Sequence, residues 1–263
     1  MDVVVCLKQV VDPELPARDF AIDPATRRQA RDGRTLVIST YDENALEVAL
    51  QLKERTGGTI TVVAVGPQAA LGEAVRKALA MGADEALVVD EPRAPGWLGA
   101  QVAPVLAAAI RRIGRADLVL VGCESADWVE RVVAPLLAEA LGASCVTFAS
   151  RVEPADGGVL VRRMADDGVH HVAARLPAVV SVTSDEANKP RLPKVKDIVA
   201  AKRKPLTVVA AADLEADTAW RLPAPEVREV AVPQRTGTCE MLGGEPAEQV
   251  EALVRRLREL KLL

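Results

Sequence analysis

In residues 1–145, short apolar runs alternate with segments of helical periodicity. The runs are rich in β-branched residues and nearly free of polar ones, as is typical of strands that helices cover on both faces. They read DVVVCL, TITVVAVG, EALVVD and ADLVLVG. This alternation predicts an α/β fold with a parallel sheet and helices on both faces.

Three of the intervening segments carry the apolar spacing of an amphipathic helix, i, i+3, i+4. The first ends at Gly82 and has an apolar stripe of Leu71, Ala74, Val75, Ala78 and Leu79. The second ends at Gly114 and has a stripe of Val102, Val105, Leu106, Ala109, Ile110 and Ile113. A third stripe predicts a helix over residues 129–141 and contains Val129, Val132, Val133, Leu136, Leu137, Ala140 and Leu141. Glycine is the usual residue just beyond a helix C-terminus.

Open parallel sheets bind ligands beyond the carboxyl ends of their strands, where successive connections leave in opposite directions. Three loops follow predicted strands at that edge, at residues 7–12, 65–67 and 122–127. Gly66 and Gly122 end buried strands, where the backbone must turn sharply or approach a ligand closely. We therefore expect a ligand site at these three loops.

The pattern changes after residue 145. Three runs separated by glycine-containing turns predict antiparallel strands that extend the sheet, namely VTFASRVE, GVLVRRM and VHHVAARL. A further strand, PAVVSVT, precedes a cationic segment at residues 188–205. Residues 206–244 show little periodicity, and an amphipathic helix follows from Pro246. We divide the chain into an α/β nucleotide-binding-type domain (1–205) and a C-terminal arm and helix (206–263) that we expect to pack on a partner subunit.

Composition adds limits to this picture. Apolar residues make up 49 % of the 263 residues, which predicts a sizeable core, and aromatic residues only 2 %, so Val, Ala and Leu must fill it. No apolar run approaches the roughly 18 residues of a membrane span. The chain opens on a strand-like run without a cationic leader, and its four cysteines form no CxxC pair. We expect a cytoplasmic protein that is not membrane-embedded, with buried, reduced cysteines.

Motifs of self-contained catalysis are not found in the sequence. It contains no GxGxxG, no GxxxxGK[ST] and no GxSxG. His170 and His171 are adjacent in a predicted strand, so they point to opposite faces and do not bind one metal together. Cys6 lies in a predicted strand with no base nearby in the sequence. We expect binding or electron carriage, with no catalytic residues.

Several stretches resemble the β subunit of electron transfer flavoproteins. They are VVVCLKQVVDPE, YDENALEVALQLKERTGGTITVVAVGP, AVRKALAMGADEALVVD, LPAVVSVTSDEANKPRLPKVKDIVAAKRKP and, more weakly, PQRTGTCEMLGG. The resemblance implies an adenine-nucleotide-hydrolase-like fold and a heterodimer with an α subunit, which holds most of an FAD. It also implies a second adenine nucleotide in the β subunit, either AMP or a second FAD. Electrons would arrive from an acyl-CoA-type or other flavin dehydrogenase.

The resemblance also assigns roles to residues. It implies a nucleotide pocket formed by Cys6, Lys8, Ser39, Tyr41, Asp42, Val65, Gly66, Gly122, Ser125 and Asp127. Tyr41 either lies near the flavin or packs as an aromatic residue at the start of a helix that Asp42 caps. Residues 188–205 resemble the recognition loop that docks the dehydrogenase, through Asn188, Pro190, Arg191, Val195, Lys196 and Ile198.

That cationic segment carries seven Lys or Arg residues and one Asp, in a chain of net charge −4. Val195, Ile198 and Val199 form an apolar stripe within it, and prolines restrict its backbone. An apolar anchor ringed by cations is suited to fast, transient docking on an acidic surface. The alternative is a solvated basic helix with no partner.

One loop departs from the family pattern. Many members read close to DGDTAQVGP where residues 127–135 read DWVERVVAP. Val129, Glu130, Val132 and Ala134 replace Asp, Thr, Gln and Gly. We expect either no nucleotide here, or an adenine nucleotide held chiefly by Lys8, Gly66 and the amides near Gly122 and Ser125. A second FAD is the less expected occupant.

Three other classes of protein fit the sequence less well. A stand-alone adenine-nucleotide-binding protein of the universal-stress type would share the parallel sheet but lack the antiparallel extension and the cationic segment. Binding to nucleic acid is disfavoured by the net negative charge and the scarcity of aromatic residues for stacking. A stand-alone enzyme is disfavoured by the missing catalytic motifs.

Overall fold

The computed structural model describes residues 1–214, 227–232, 237 and 239–263. The chain forms two compact units, residues 1–228 and residues 229–263. Part of the predicted C-terminal arm, and part of the PQRTGTCEMLGG stretch, lie outside the described residues.

The described strands are β1 (Val3–Leu7), β2 (Gln9–Val11), β3 (Ile22–Asp23), β4 (Arg28–Gln29), β5 (Leu36–Ile38), β6 (Ile60–Gly66), β7 (Glu85–Asp90), β8 (Leu118–Gly122), β9 (Ser144–Ala155), β10 (Gly158–Ala165), β11 (Gly168–Arg175), β12 (Ala178–Val182) and β13 (Leu206–Ala210). Nine of them form one sheet in the order β11-β10-β9-β12-β8-β1-β6-β7-β13. From β9 to β13 along this order every neighbouring pair is parallel. β10 and β11 add an antiparallel extension. The predicted α/β fold is confirmed.

The described helices are α1 (Thr40–Thr56), α2 (Gln68–Met81), α3 (Gly99–Ile113), α4 (Val133–Leu141), α5 (Val195–Ala201) and α6 (Pro246–Glu259). α1 and α2 bury their apolar residues on one face of the sheet, and α3 and α4 do so on the other. Both layers consist mainly of Val, Ala and Leu. Gly82 and Gly114 follow α2 and α3 with positive φ, as expected of helix C-termini.

The structure departs from the sequence-based expectations at β13, at the start of α4 and at two cysteines. β13 pairs with β7 inside the main sheet, although no strand was predicted after residue 205. α4 begins at Val133, because Val129 and Arg131 adopt left-handed φ angles of 55° and 60° that no helix permits. Cys145 and Cys239 are exposed, whereas all four cysteines were expected to be buried.

The cationic segment forms α5, which packs against α2. The Lys204 ammonium donates to the carbonyl oxygens of Leu79 (2.8 Å) and Ala83 (2.5 Å), at the C-terminal end of α2. The Arg76 guanidinium on α2 donates to Ala201 O at 2.8 Å. These bonds hold the C-terminal end of the segment against the body, so Lys204 is a structural cation. In the described part of the chain, no helix has the length and apolar character needed to span a bilayer.

Candidate functional site

A cleft lies at the carboxyl ends of β1 and β8, where the order of the strands reverses. From β1 the chain continues to β6 and β7 on one side and then returns to β8 on the other. The volume of the cleft is about 780 Å³, which includes space open to solvent. Its lining includes the predicted site residues Cys6, Lys8, Asp42, Val65, Gly122 and Ser125. This is the edge at which the sequence placed the ligand loops.

Asp42 holds the two central strand ends together. Its carboxylate oxygens accept hydrogen bonds from the backbone N–H groups of Lys8 (2.7 Å) and Gly122 (2.9 Å). A Cβ atom on Gly122 would lie 2.6 Å from Asp42 Oδ1, so glycine is required for this close approach. Burial raises the pKa of Asp42 to about 7, against the opposing effect of the two N–H donors. The sequence had suggested that Asp42 caps α1. In the structure its side chain makes this contact instead, and α1 has no side-chain cap.

The two cysteine thiols in the cleft are protonated at neutral pH. Burial, followed by the nearby Asp42 carboxyl, raises the pKa of Cys6 far above its ordinary value. Burial also raises the pKa of Cys123 to about 11. Since the thiolate is the reactive form of cysteine, neither thiol is activated as a nucleophile.

Lys8 spans the cleft from the end of β1 to the loop after β8. Its ammonium group donates to Asp127 Oδ1 at 2.7 Å and lies 3.4 Å from Ser125 Oγ. Burial alone would raise the pKa of Asp127, but the Lys8 ammonium, together with hydrogen bonds from Ser125 and the Trp128 N–H, outweighs it and holds that pKa below its usual range. The Lys8 charge is therefore already neutralised within the chain.

The other predicted pocket residues are not part of the lining, but each is hydrogen-bonded to a lining residue or adjacent to one in the chain, namely Ser39, Tyr41, Gly66 and Asp127. Ser39 is buried, and its hydroxyl accepts from the Ala126 N–H at 3.1 Å, which joins the start of α1 to the loop after β8. Tyr41 lies beside Gly122, on which a Cβ atom would be 2.9 Å from Tyr41 Cβ. Burial, followed by the Glu124 carboxylate, raises the pKa of Tyr41. Gly66 ends β6 next to Val65.

The loop between β8 and α4 carries two further charged contacts at the cleft. Arg131 Nε donates to Glu124 Oε2 at 2.5 Å, and the guanidinium carbon lies 5.6 Å from the centre of the Phe148 ring. Glu130 Oε2 accepts a hydrogen bond from the Gly99 backbone N–H at 2.8 Å. Glu130 and Arg131 thus each have a hydrogen-bonding partner within the protein.

Sequence reasoning missed the wall of the cleft that precedes and begins α3. Trp97, Leu98 and Gly99 line it, together with Val102 and Leu106 of α3. The strand EALVVD was predicted correctly, and its carboxyl end lies at the same edge as that of β6. The loop that follows this strand is therefore the feature of the sequence that points to these residues.

The cations of the cleft and the first N–H group of α3 do not fit a nucleotide phosphate, because each already has a carboxylate partner. Among the described residues that line the cleft, the cations are Lys8 and Arg131, and each is paired with a carboxylate. The N–H group at the start of α3 is already bonded to Glu130. A phosphate group at either cation or at the first N–H group of α3 would have to displace one of these internal partners. No group of three His, Cys, Asp or Glu side chains suited to a metal ion occurs in the described parts of the chain.

Asn188 fastens the start of the cationic segment to the body. It is 1 % exposed, and its side-chain amide donates to the carbonyl oxygens of Ser150 (3.1 Å) and Thr183 (2.8 Å). Its Oδ1 accepts from the Asp185 N–H and from Asn44 Nδ2. These contacts make Asn188 a positioning residue, although we had predicted it to touch the partner.

Arg191 makes the second attachment of the segment. Its guanidinium donates to both oxygens of Glu47, each at 2.8 Å, and to Glu54 at 2.5 Å. Burial would raise the pKa of Glu47, but the hydrogen bonds from Arg191 and Gln51 dominate and lower it. The hydrogen bonds to Glu47 and Glu54 raise the pKa of Arg191. The pair therefore stays fully charged at neutral pH.

The apolar residues of the segment point outward. Leu192 is 86 % and Val195 79 % exposed, and Ile198 and Val199 are also exposed. Exposed cations surround them, namely Lys189, Lys194, Lys196, Lys202 and Arg203. A firmly anchored segment thus presents an apolar and cationic surface.

Together these features define an α/β protein with a cleft at the switch point of its sheet, an antiparallel extension and an anchored cationic segment. Residues 28–214 match the family described as the electron transfer flavoprotein domain. The chain is 38 % identical to electron transfer flavoprotein subunit beta of Mycobacterium leprae over 222 residues, covering 81 % of this chain and 80 % of that one. It is 34 % identical to the subunit of the same name from Bacillus subtilis over 261 residues, covering 98 % of each chain.

A third relative is subunit CarD of the caffeyl-CoA reductase-Etf complex from Acetobacterium woodii. It is 31 % identical over the whole of both chains. The chain belongs to the β-subunit family of electron transfer flavoproteins, as the resemblance in the sequence had indicated. The antiparallel extension and cationic segment, which a universal-stress-type protein would lack, are both present.

Proposed function

We propose that this chain is the β subunit of a heterodimeric electron transfer flavoprotein. In this proposal an α subunit holds most of an FAD, and the β subunit covers it from the side of Tyr41. A flavin dehydrogenase, of the acyl-CoA type or another, docks on residues 188–205 and reduces the FAD. The FAD carries the electrons, while residues of this chain bind, orient and shield.

The observation that carries the proposal is the anchored segment with its outward-facing apolar residues. Val195 is 79 % exposed, although Val is ordinarily a core residue. Asn188 and Arg191 fix the start of the segment, so little conformational entropy is lost when a partner binds it. The cations around Val195 steer an acidic partner and accelerate encounter.

The test uses the double variant Val195→Ala/Lys196→Ala in the assembled heterodimer. We expect the second-order rate of reduction by the dehydrogenase to fall about tenfold, because the variant removes one apolar anchor and one steering charge. Flavin content and melting temperature should stay within error of the wild type, since both side chains are exposed. Rising salt should slow the wild-type reaction.

A matched control is Val169→Ala/Arg112→Ala, which removes an exposed Val from β11 and an exposed Arg from α3. This control should leave the rate unchanged. Equal losses in the two double variants, or a salt-independent rate, would refute docking at residues 188–205.

A further inference from the structure

The loop between β8 and α4 directs a carboxylate to a helix N-terminus that faces the cleft. Glu130 Oε2 accepts from the N–H of Gly99, the first residue of α3, at 2.8 Å. Helix N-termini carry unpaired N–H groups and a partial positive charge, and for this reason they commonly bind phosphate. In this chain an internal carboxylate already occupies that position.

The local backbone is strained to hold Glu130 there. Val129 and Arg131, on either side of it, have left-handed φ angles of 55° and 60°. Such angles are costly for residues with a Cβ atom, and especially for a β-branched residue. This kind of strain persists only where the surrounding structure enforces it. Val132, which follows Arg131, packs closely on the start of α3. A Cβ atom on Gly99 would lie only 2.5 Å from Val132 Cγ2. The fold therefore specifies the position of the carboxylate.

The two cations among the described lining residues are not free to replace that position. Lys8 is paired with Asp127 at 2.7 Å, and Arg131 with Glu124 at 2.5 Å. The described lining between these pairs is largely apolar and includes Trp97, Leu98, Val102, Leu106, Val132 and Val133. A phosphate here would meet a like charge in surroundings partly shielded from water, where repulsion is strong. An uncharged group would contact the apolar lining and would not be repelled by Glu130.

We propose that Glu130 is a built-in anion that makes the cleft select an uncharged nucleoside over its phosphate. This inference deepens the proposed function, because it concerns the second nucleotide that the family resemblance implies for the β subunit. Glu130 is then a specificity-determining residue. It takes the place of the ligand's phosphate and accepts from the first N–H group of α3.

The experiment titrates adenosine and AMP into the full-length chain and into the heterodimer by calorimetry. We expect the wild type to bind adenosine at least about tenfold more tightly than AMP. Glu130→Gln keeps an oxygen that accepts from Gly99 but removes the charge, so the loop should retain its fold. We expect this variant to gain about tenfold or more in AMP affinity while its adenosine affinity is unchanged.

Glu139→Gln is the matched control, because it removes the same charge from an exposed position on α4. It should behave as the wild type does. Stoichiometric AMP in the purified wild type, failure of the wild type to bind adenosine, or equal effects of the two substitutions would overturn the proposal. Melting temperatures establish that the variants are folded. Assembly with the α subunit and FAD content are measured separately, so failure of the proposed function is distinguishable from failure of phosphate exclusion.

Discussion

Asp42 is buried where β1 and β8 end, and its two carboxylate oxygens each accept a backbone N–H group. These strands are parallel neighbours. Without Asp42, the N–H groups of Lys8 and Gly122, which lie beyond the paired part of these two strands, would need to donate hydrogen bonds to water or a ligand. The side chain thus closes the floor of the cleft and fixes the separation of the two loops that carry Lys8 and Ser125.

The raised pKa of Asp42 predicts the direction in which its contribution to the free energy of unfolding changes with pH. Its folded value of about 7 lies above the ordinary value of 3.8. Between these two values the unfolded chain loses the proton first, so the contribution of Asp42 to stability falls as pH rises through this window and is constant above it. We expect the difference in unfolding free energy between wild type and Asp42→Asn to fall from about pH 5 to about pH 7.

Asp127→Asn supplies the contrasting control. Because Lys8 lowers the pKa of Asp127, its stabilising contribution is complete above the unfolded value and is lost only in more acidic solution. The difference in unfolding free energy between wild type and Asp127→Asn should therefore stay constant from about pH 5 to about pH 7. Urea titrations across that range measure both differences. A wild-type advantage over Asp42→Asn that grows with pH would contradict the raised pKa.

At the scale of the element, the cationic segment is stable only through its attachments. α5 has seven residues and a single buried one, so its own helix propensity and packing contribute little. Asn188 and Arg191 hold its beginning, and Lys204 holds its end against α2. The segment is held at both ends and exposed along its length, an arrangement that lowers the entropic cost of docking.

The ion pair between Arg191 and Glu47 is the attachment we expect to matter most. The Glu47 side chain is 6 % exposed, so Arg191→Ala would leave a buried carboxylate without its main partner. Removing one partner of a buried pair costs about 3 kcal/mol. Arg203→Ala, an exposed cation of the same segment, should cost no more than about 0.5 kcal/mol.

Urea denaturation monitored by circular dichroism measures both costs. The double variant Glu47→Met/Arg191→Met should be more stable than Arg191→Ala, because it removes the buried charge together with its partner. Equal costs for Arg191→Ala and Arg203→Ala would show that this attachment is unimportant.

The sequence was informative about elements and less so about contacts between them. Apolar periodicity located the strands of the parallel sheet, the antiparallel extension and the helices α2, α3 and α6, because each depends on residues close in the chain. The contact of Glu130 with Gly99 joins residues 31 apart and requires left-handed residues that an apolar stripe does not signal. Asn188 looked like a surface residue because nothing local shows that four segments converge on it.

At the scale of the whole molecule, the chain combines a cleft of internally paired charges with surfaces suited to partners. In residues 229–263, no residue of α6 is buried. Its apolar stripe is exposed, with Val250 at 59 % and Leu253 at 48 %. Exposed apolar surface of this kind usually marks an interaction site. In the proposed heterodimer, α6 and residues 188–205 would serve two different partners.

We therefore expect the chain purified alone to retain little FAD, and mixing with the α subunit to give a stoichiometric yellow complex. Leu253→Glu places a charge in the apolar stripe of α6 and should prevent assembly, because an unpaired carboxylate is costly to bury. Arg255→Glu introduces the same side chain on the polar side of the helix and should assemble normally. Gel filtration with flavin absorbance measures both outcomes. The isolated variants should melt at the wild-type temperature, since both positions are exposed. Tight FAD in the isolated chain, or normal assembly of Leu253→Glu, would contradict a flavin site completed by the partner through α6.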